Sequence, residues 1–212
     1  MPSSPIVTLA ITTSCPHCPS MMEVLSQLVK KGEIADLHIV NIGSNIEFSK
    51  QYEVRSVPWL RIGPFVLQGL HTQQEIQRWL TLSKTDAGIT DYFTQLLTEG
   101  ELNTVIQAIR FSPTIIQKLI PLIESDETNI NVRLGLGAIL EDLDGDPILE
   151  SILDDLIRLL EHTNSRVRGD AAHFLSFIHS NSAITALEQI HDEADSEVKE
   201  IIAESLETLK DI

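Results

Sequence analysis

The chain has 212 residues, with 15 Lys+Arg against 31 Asp+Glu and a formal net charge of −16. It is long enough for one large or two small domains with a real core, and no run reaches the ~18 apolar residues a membrane span needs. The acidity repels phosphate backbones and argues against nucleic acid as a partner.

The opening, Met1-Pro-Ser-Ser-Pro-Ile-Val, has no basic stretch and no apolar region ending in a cleavage site. It reads as no secretory signal, and the expected address is cytoplasmic. Ile6 to Ile11 is β-branched and almost wholly apolar, the signature of a buried strand. Thr12-Thr13-Ser14 ends it, and Cys15-Pro16-His17-Cys18-Pro19 follows. Met21, Met22, Leu25, Leu28 and Val29 then recur at helical spacing up to a Gly32 stop. Asp36 to Asn41 is a second strand, parallel to the first after the helical crossover. A short helix is expected over Glu47 to Tyr52. Trp59–Ile62 and Phe65–Leu67 are two strands joined by Gly63-Pro64, a hairpin signal. Thr72 to Leu82 closes the unit as an amphipathic helix with Ile76, Trp79 and Leu80 inward. The order is β-α-β-α-β-β-α.

Cys15 and Cys18 are the only cysteines. Two cannot build a disulfide framework or complete a four-thiolate zinc site, so a C-x-x-C beside a strand–helix pattern reads first as a redox dithiol. Cys15 sits where a strand hands over to a helix, and the helix's unpaired amides and dipole favour its thiolate, the nucleophilic form. Cys18, one turn later, is placed to resolve a mixed disulfide. Pro16 and Pro19 suit the first turn of that helix, where no amide is needed. His17, between the sulfurs, further favours thiolate when protonated.

The element order, Cys15-Pro-His-Cys-Pro19, Tyr52-Glu-Val-Arg-Ser-Val-Pro58 and Gly69 together resemble the thioredoxin fold in its short glutaredoxin form. Within that superfamily the unit is similar to the glutaredoxin-like units of archaeal protein disulfide oxidoreductases. It is equally similar to the N-terminal domain of the alkyl hydroperoxide reductase flavoprotein. The likeness covers residues 5 to 82. It implies that Pro58 is a cis-proline facing the dithiol, with the Val57 backbone free to pair with an extended substrate. The sequence departs from the family in two places. Leu9 stands where thioredoxins carry a buried acid, so proton transfer at Cys18 needs another route. Trp59 directly follows the proline, where it either narrows the substrate groove or fills the core.

Charge is uneven: residues 1–85 carry a net +1 and residues 86–212 a net −17. That step marks a boundary between units 1–84 and 85–212. From about Asp86 the strand signals vanish and amphipathic helices alternate with short polar turns. Asp91 to Arg110 reads as a capping helix pair. Three segments then repeat: Ile115 to Leu143, Ile152 to Ile178 and Ile184 to Leu209. Each carries a Val-basic pair at the start of its second helix (Val132-Arg133, Val167-Arg168, Val198-Lys199). This pattern resembles HEAT repeats, an all-α solenoid of stacked helix pairs. Pro121 should kink the first helix of the first repeat. Arg133, Arg166 and Arg168 are expected to pair with acids on adjacent repeats. His38 and His71 are read as structural, and His162, His173, His179 and His191 lack metal-ligand spacing and are assigned no role.

The expected whole is a two-domain thiol–disulfide oxidoreductase. Cys15 attacks, Cys18 resolves, His17 tunes, Pro58 positions, and Pro16, Val57 and Trp59 line the substrate site. The dithiol carries the electrons itself, so no cofactor or metal is expected. Implied partners are a protein substrate docked by the repeats and an electron-donor reductase. A different class of reading makes the protein a repeat-based adaptor whose dithiol is a redox switch. Metal carriage by the thiol pair is a third.

Overall fold

The structure is a computed structural model that describes residues 5–190 and 195–211. The chain divides between Tyr92 and Phe93 into two compact units.

In the first unit the elements are β1 (Ile6–Ile11), α1 (Cys18–Lys30), β2 (Asp36–Asn41), α2 (Ile46–Gln51), β3 (Trp59–Ile62), β4 (Phe65–Gln68) and α3 (Gln73–Leu82), followed by α4 (Asp86–Glu99). The sheet order is β2-β1-β3-β4. β1 and β2 are parallel, as the α1 crossover requires, with Leu9 opposite Ile39. β3 runs antiparallel to both β1 and β4. Strand alternation sends Val7, Leu9, Leu60, Ile62 and Leu67 to one face. There they pack with Met21, Leu25 and Leu28 of α1 and Ile76 and Leu80 of α3. Thr8, Ala10, Trp59 and Arg61 occupy the other face, where Trp59 meets Phe48 and Tyr52 from the α2 segment at ring-centroid distances of 6.0 and 6.1 Å. Gly63, at φ +55°, makes the tight turn between β3 and β4. The backbone N–H of Val66, on the edge strand β4, donates to the Tyr92 hydroxyl at 3.3 Å.

Two helix starts differ most from expectation. α1 begins at Cys18, so Pro16 lies in the preceding turn and only Pro19 occupies the helix's first turn. α4 begins at Asp86 rather than Asp91, because the Thr85 side chain accepts from the Gly88 amide and starts the helix early.

The second unit is all helical: the remainder of α4, α5 (Leu102–Phe111), α6 (Ile120–Glu124), α7 (Ile130–Asp142), α8 (Leu153–Leu159), α9 (Ser165–Leu175), α10 (Asn181–Glu188) and α11 (Ser196–Lys210). Short 3-10 segments, Pro113–Leu119 and Pro147–Ile152, lead into α6 and α8. The first helix of the first repeat is therefore broken near Pro121, as expected. The second makes the same 3-10-to-α change between Ile152 and Leu153, with no proline at the junction. Val132, Val167 and Val198 are all buried, which gives the Val-basic motif its physical meaning as a core anchor of each second helix. Three residues before each valine stands an Asx N-cap that sequence reading overlooked. Asn129, Asn164 and Asp195 accept from the amides of Asn131, Arg166 and Glu197 at 2.8, 3.0 and 3.0 Å.

Of the three arginines, Arg133 forms the expected inter-repeat ion pair, with Asp170. Burial pushes the Asp170 carboxyl up, against the opposing pull of Arg133. Arg166 reaches the preceding repeat but donates to the Asp126 carbonyl. Arg168 donates to the carbonyls of His162 and Thr163 at 2.9 and 3.2 Å. Outer pairs link Arg158 to Glu124 (2.7 Å) and Arg110 to Asp142 (2.8 Å). No helix among the described residues is long and apolar enough to cross a membrane.

Candidate active site

The site is built where β1 ends. Thr12 turns the chain by accepting the Cys15 amide at 3.3 Å, and α1 starts three residues later. Its N-cap position is His17, whose side chain makes no capping bond. The first free amide of the helix, that of Cys18, instead donates to the Cys15 sulfur at 3.1 Å. The helix start is capped by sulfur, the arrangement that stabilises negative charge there. Cys15 and Cys18 are joined in a disulfide with Cα atoms 5.5 Å apart. Cys15 is half-buried, Pro16 and His17 are exposed, and Cys18 is 2% exposed.

Strand register brings a second element to this end of the sheet. Ala10 pairs with Trp59, so Val57 and Pro58 lie beside the end of β1 from which the chain runs to Cys15. The Val57–Pro58 peptide bond is cis. Pro58 is buried and its carbonyl accepts the Gly69 amide at 2.8 Å, which ties the start of β3 to the end of β4. Val57 is half-exposed. Behind α1's first turn, buried Met21 accepts the His71 amide at 3.4 Å, anchoring the loop after Gly69 to the dithiol helix. Trp59 does not share the surface: it is 2% exposed, packed against Phe48 and Tyr52. Of its two readings, filling the core is the one observed.

The electrostatics are unusual for one residue. Leu9 is fully buried, and the buried polar or charged side chains among the described residues of this unit are Thr8 and Arg61. The sheet therefore holds a cation and no buried carboxylate. Burial pushes the Arg61 pKa down to about 10, while Tyr52 and Tyr92 act to raise it. Nothing in the sequence around Arg61 signals this. The residue sits inside because the α2-segment aromatics cover that face.

Three of the histidines make local structural contacts. His71 contacts the Gln68 carbonyl, His162 accepts the Asn164 amide, and His179 pairs with Asp144 at 2.9 Å. His191 lies outside the described residues, as does the polar turn expected in the third repeat. No group of three or more His, Cys, Asp or Glu able to hold a metal ion occurs among the described residues.

A four-stranded β2-β1-β3-β4 sheet, a Cys pair at the first strand-to-helix turn and a cis-proline before the third strand define the class: a thioredoxin-type redox domain, here followed by helical repeats. Residues 7–81 match the thioredoxin domain family and residues 116–207 match HEAT repeats. The chain thus carries a thioredoxin domain, with the redox role such domains have, followed by HEAT repeats, which generally mediate protein interactions. No curated protein matches the chain.

Proposed function

We propose that the protein is a thiol–disulfide oxidoreductase acting on protein disulfides through Cys15 and Cys18, with the repeats docking the substrate or partner protein. The observation that carries the reading is the asymmetry of the pair. The sulfur of half-buried Cys15 accepts the Cys18 amide at 3.1 Å, while Cys18 is 2% exposed. Cys15 is the less buried of the two cysteines, and the helix end favours its thiolate.

In the reducing direction the Cys15 thiolate attacks one sulfur of the substrate disulfide. A Cys15–substrate disulfide forms and the other substrate sulfur leaves as thiolate, which takes a proton from water. Cys18 then gives up its proton and attacks the Cys15 sulfur. The first substrate sulfur leaves and collects that proton. The substrate has gained two electrons and two protons, and the protein holds the Cys15–Cys18 disulfide. With Leu9 in place of a buried acid, the departing thiolate is itself the base for Cys18. Exposed His17 beside Cys15 tunes its thiolate. Val57 and Pro58 position an extended substrate strand, with Pro16 at its edge. Electrons return from a dithiol-bearing reductase in a cytoplasmic setting, and no cofactor is needed.

The test is turnover of insulin disulfides with dithiothreitol as electron source. The wild type should reduce many equivalents, Cys15→Ser none, and Cys18→Ser should accumulate a covalent mixed disulfide with the substrate. Oxidation of one equivalent without further turnover would overturn this reading in favour of the redox-switched adaptor.

A further inference from the structure

The second helices of the last two repeats enclose a surface that the redox chemistry does not use. Two grooves, of about 250 and 370 Å³, run along α9 and α11 and share Gly169, Asp170 and Ile201. Gly169 is what lets the helices approach: a Cβ there would stand 3.1 Å from the Ile201 Cδ1. The floor is apolar, with Val198 and Ile201 under one groove and Ile201 and Phe177 under the other. The rim is acidic. Glu197 borders the first groove and Glu204 the second, both exposed on α11. Glu200 and Glu207 continue the same helix face at spacings of three and four. The groove's own cation, Arg166, is turned to the Asp126 carbonyl, and Asp170 is held by Arg133.

The wider field has the same sign. Residues 93–212 hold eight Lys/Arg and twenty-three Asp/Glu. Of those cations, Arg110, Arg133, Arg158 and Lys210 are engaged internally with carboxylates. An acidic rim over an apolar floor matches side chains that pair a cationic head with an aliphatic stem. We infer that the α9–α11 groove docks a basic segment of a partner protein, with Lys or Arg heads on Glu197 and Glu204 and their stems over Ile201 and Phe177. A second copy of this chain is the wrong occupant. It carries the same −16 charge, and its longest basic run is Lys30-Lys31. The inference rests on the docking half of the proposed function and gives that half a partner chemistry.

The experiment measures fluorescence anisotropy of a fluorescein-labelled peptide of repeated Lys-Lys-Leu triplets added to the full chain, with a Glu-Glu-Leu peptide as control. The basic peptide should bind and the acidic one should not. The double variant Glu197→Lys/Glu204→Lys should weaken binding about tenfold or more, and Ile201→Ser should weaken it severalfold. The double variant Glu101→Lys/Glu150→Lys changes net charge equally at exposed sites outside the groove, and should change affinity less than about twofold. All four substituted glutamates are exposed, so the folds survive, and a wild-type unfolding midpoint confirms it. Absence of binding, equal weakening by the two double variants, or binding of the acidic peptide each overturns the inference. The same titration on Cys15→Ser keeps full affinity, so docking and redox turnover fail or stand separately.

Discussion

Arg61 shows how far one residue's environment can depart from its local sequence. Its neighbours in Trp59-Leu60-Arg61-Ile62 are a plain strand, yet the guanidinium is 3% exposed. Nε donates to the Gly63 carbonyl at 3.0 Å, and the guanidinium carbon sits 5.6 Å from the centre of the Tyr52 ring. These contacts work against desolvation, the largest influence on its pKa, which is pushed down to about 10. With the folded pKa below the unfolded one, the unfolded chain binds the proton more tightly between those values. The buried charge therefore costs stability at neutral pH, and that cost lifts only as pH rises past about 10. Arg61→Met keeps the bulk and removes the charge, so it should lie within about 1 kcal/mol of wild type or above it. Arg61→Ala, which leaves a cavity, should lose about 2 to 3 kcal/mol. Urea unfolding at pH 7 decides: a Met variant as unstable as the Ala variant would mean that the Gly63 bond and the Tyr52 contact outweigh desolvation.

At the scale of elements, the start of α3 is a closed local device. Thr72 caps the helix through the Glu75 amide at 3.3 Å, and the Glu75 carboxylate accepts the Thr72 amide at 2.7 Å and its hydroxyl at 2.9 Å. The backbone bond from Thr72, then the hydroxyl bond, hold the Glu75 carboxyl below its ordinary range. A depressed carboxyl pKa gives stability that is present above the unfolded value and lost as pH falls through the folded one. Thr72→Ala should therefore cost about 1 kcal/mol at pH 7. Its gap from wild type should narrow in thermal melts as pH falls through the depressed Glu75 range and the carboxylate is lost. A gap independent of pH would show that the hydroxyl–amide bond acts without the carboxylate.

Such devices also explain what was legible in advance. The β-branched run Ile6–Ile11, the 3.6-residue spacing from Met21 to Val29 and the Val-basic pairs are periodic burial signals, and they placed the sheet, the dithiol helix and the repeats. The Asx caps at Asn129, Asn164 and Asp195 were equally readable, at the same 35- and 31-residue spacing as the valines, but only once the helix starts were known. The start of α1 misled because proline is welcome both in a helix's first turn and in the turn before it. At the candidate site, the Cys pair and Pro58 were visible as motifs. The burial of Trp59 and Arg61 was not, because it depends on Phe48 and Tyr52 of the preceding α2 segment folding back over the sheet, which the local strand pattern does not signal.

Across the whole molecule, charge and chromophores are distributed so that the two units can be followed separately. Residues 1–92 carry a net −1 and residues 93–212 a net −15, while both tryptophans, Trp59 and Trp79, lie in the first unit. Tryptophan fluorescence therefore reports the redox unit, and helical circular dichroism mostly reports the repeats. In the repeats two salt effects compete. Screening weakens exposed ion pairs such as Arg158–Glu124 and Lys210–Glu188, each contributing at most about 1 kcal/mol. It also relieves repulsion among the excess carboxylates, which the folded state crowds together more than the unfolded one. With fifteen uncompensated charges, repulsion should win. Raising ionic strength from about 0.01 to 0.15 M shortens the screening length from about 30 to 8 Å. The dichroism midpoint should then rise by several degrees and the fluorescence midpoint by less than about two. If both midpoints moved together, the units would share one cooperative transition. If the dichroism midpoint fell, the ion pairs would outweigh the repulsion, and the acidity of the repeats would be locally balanced rather than held in excess.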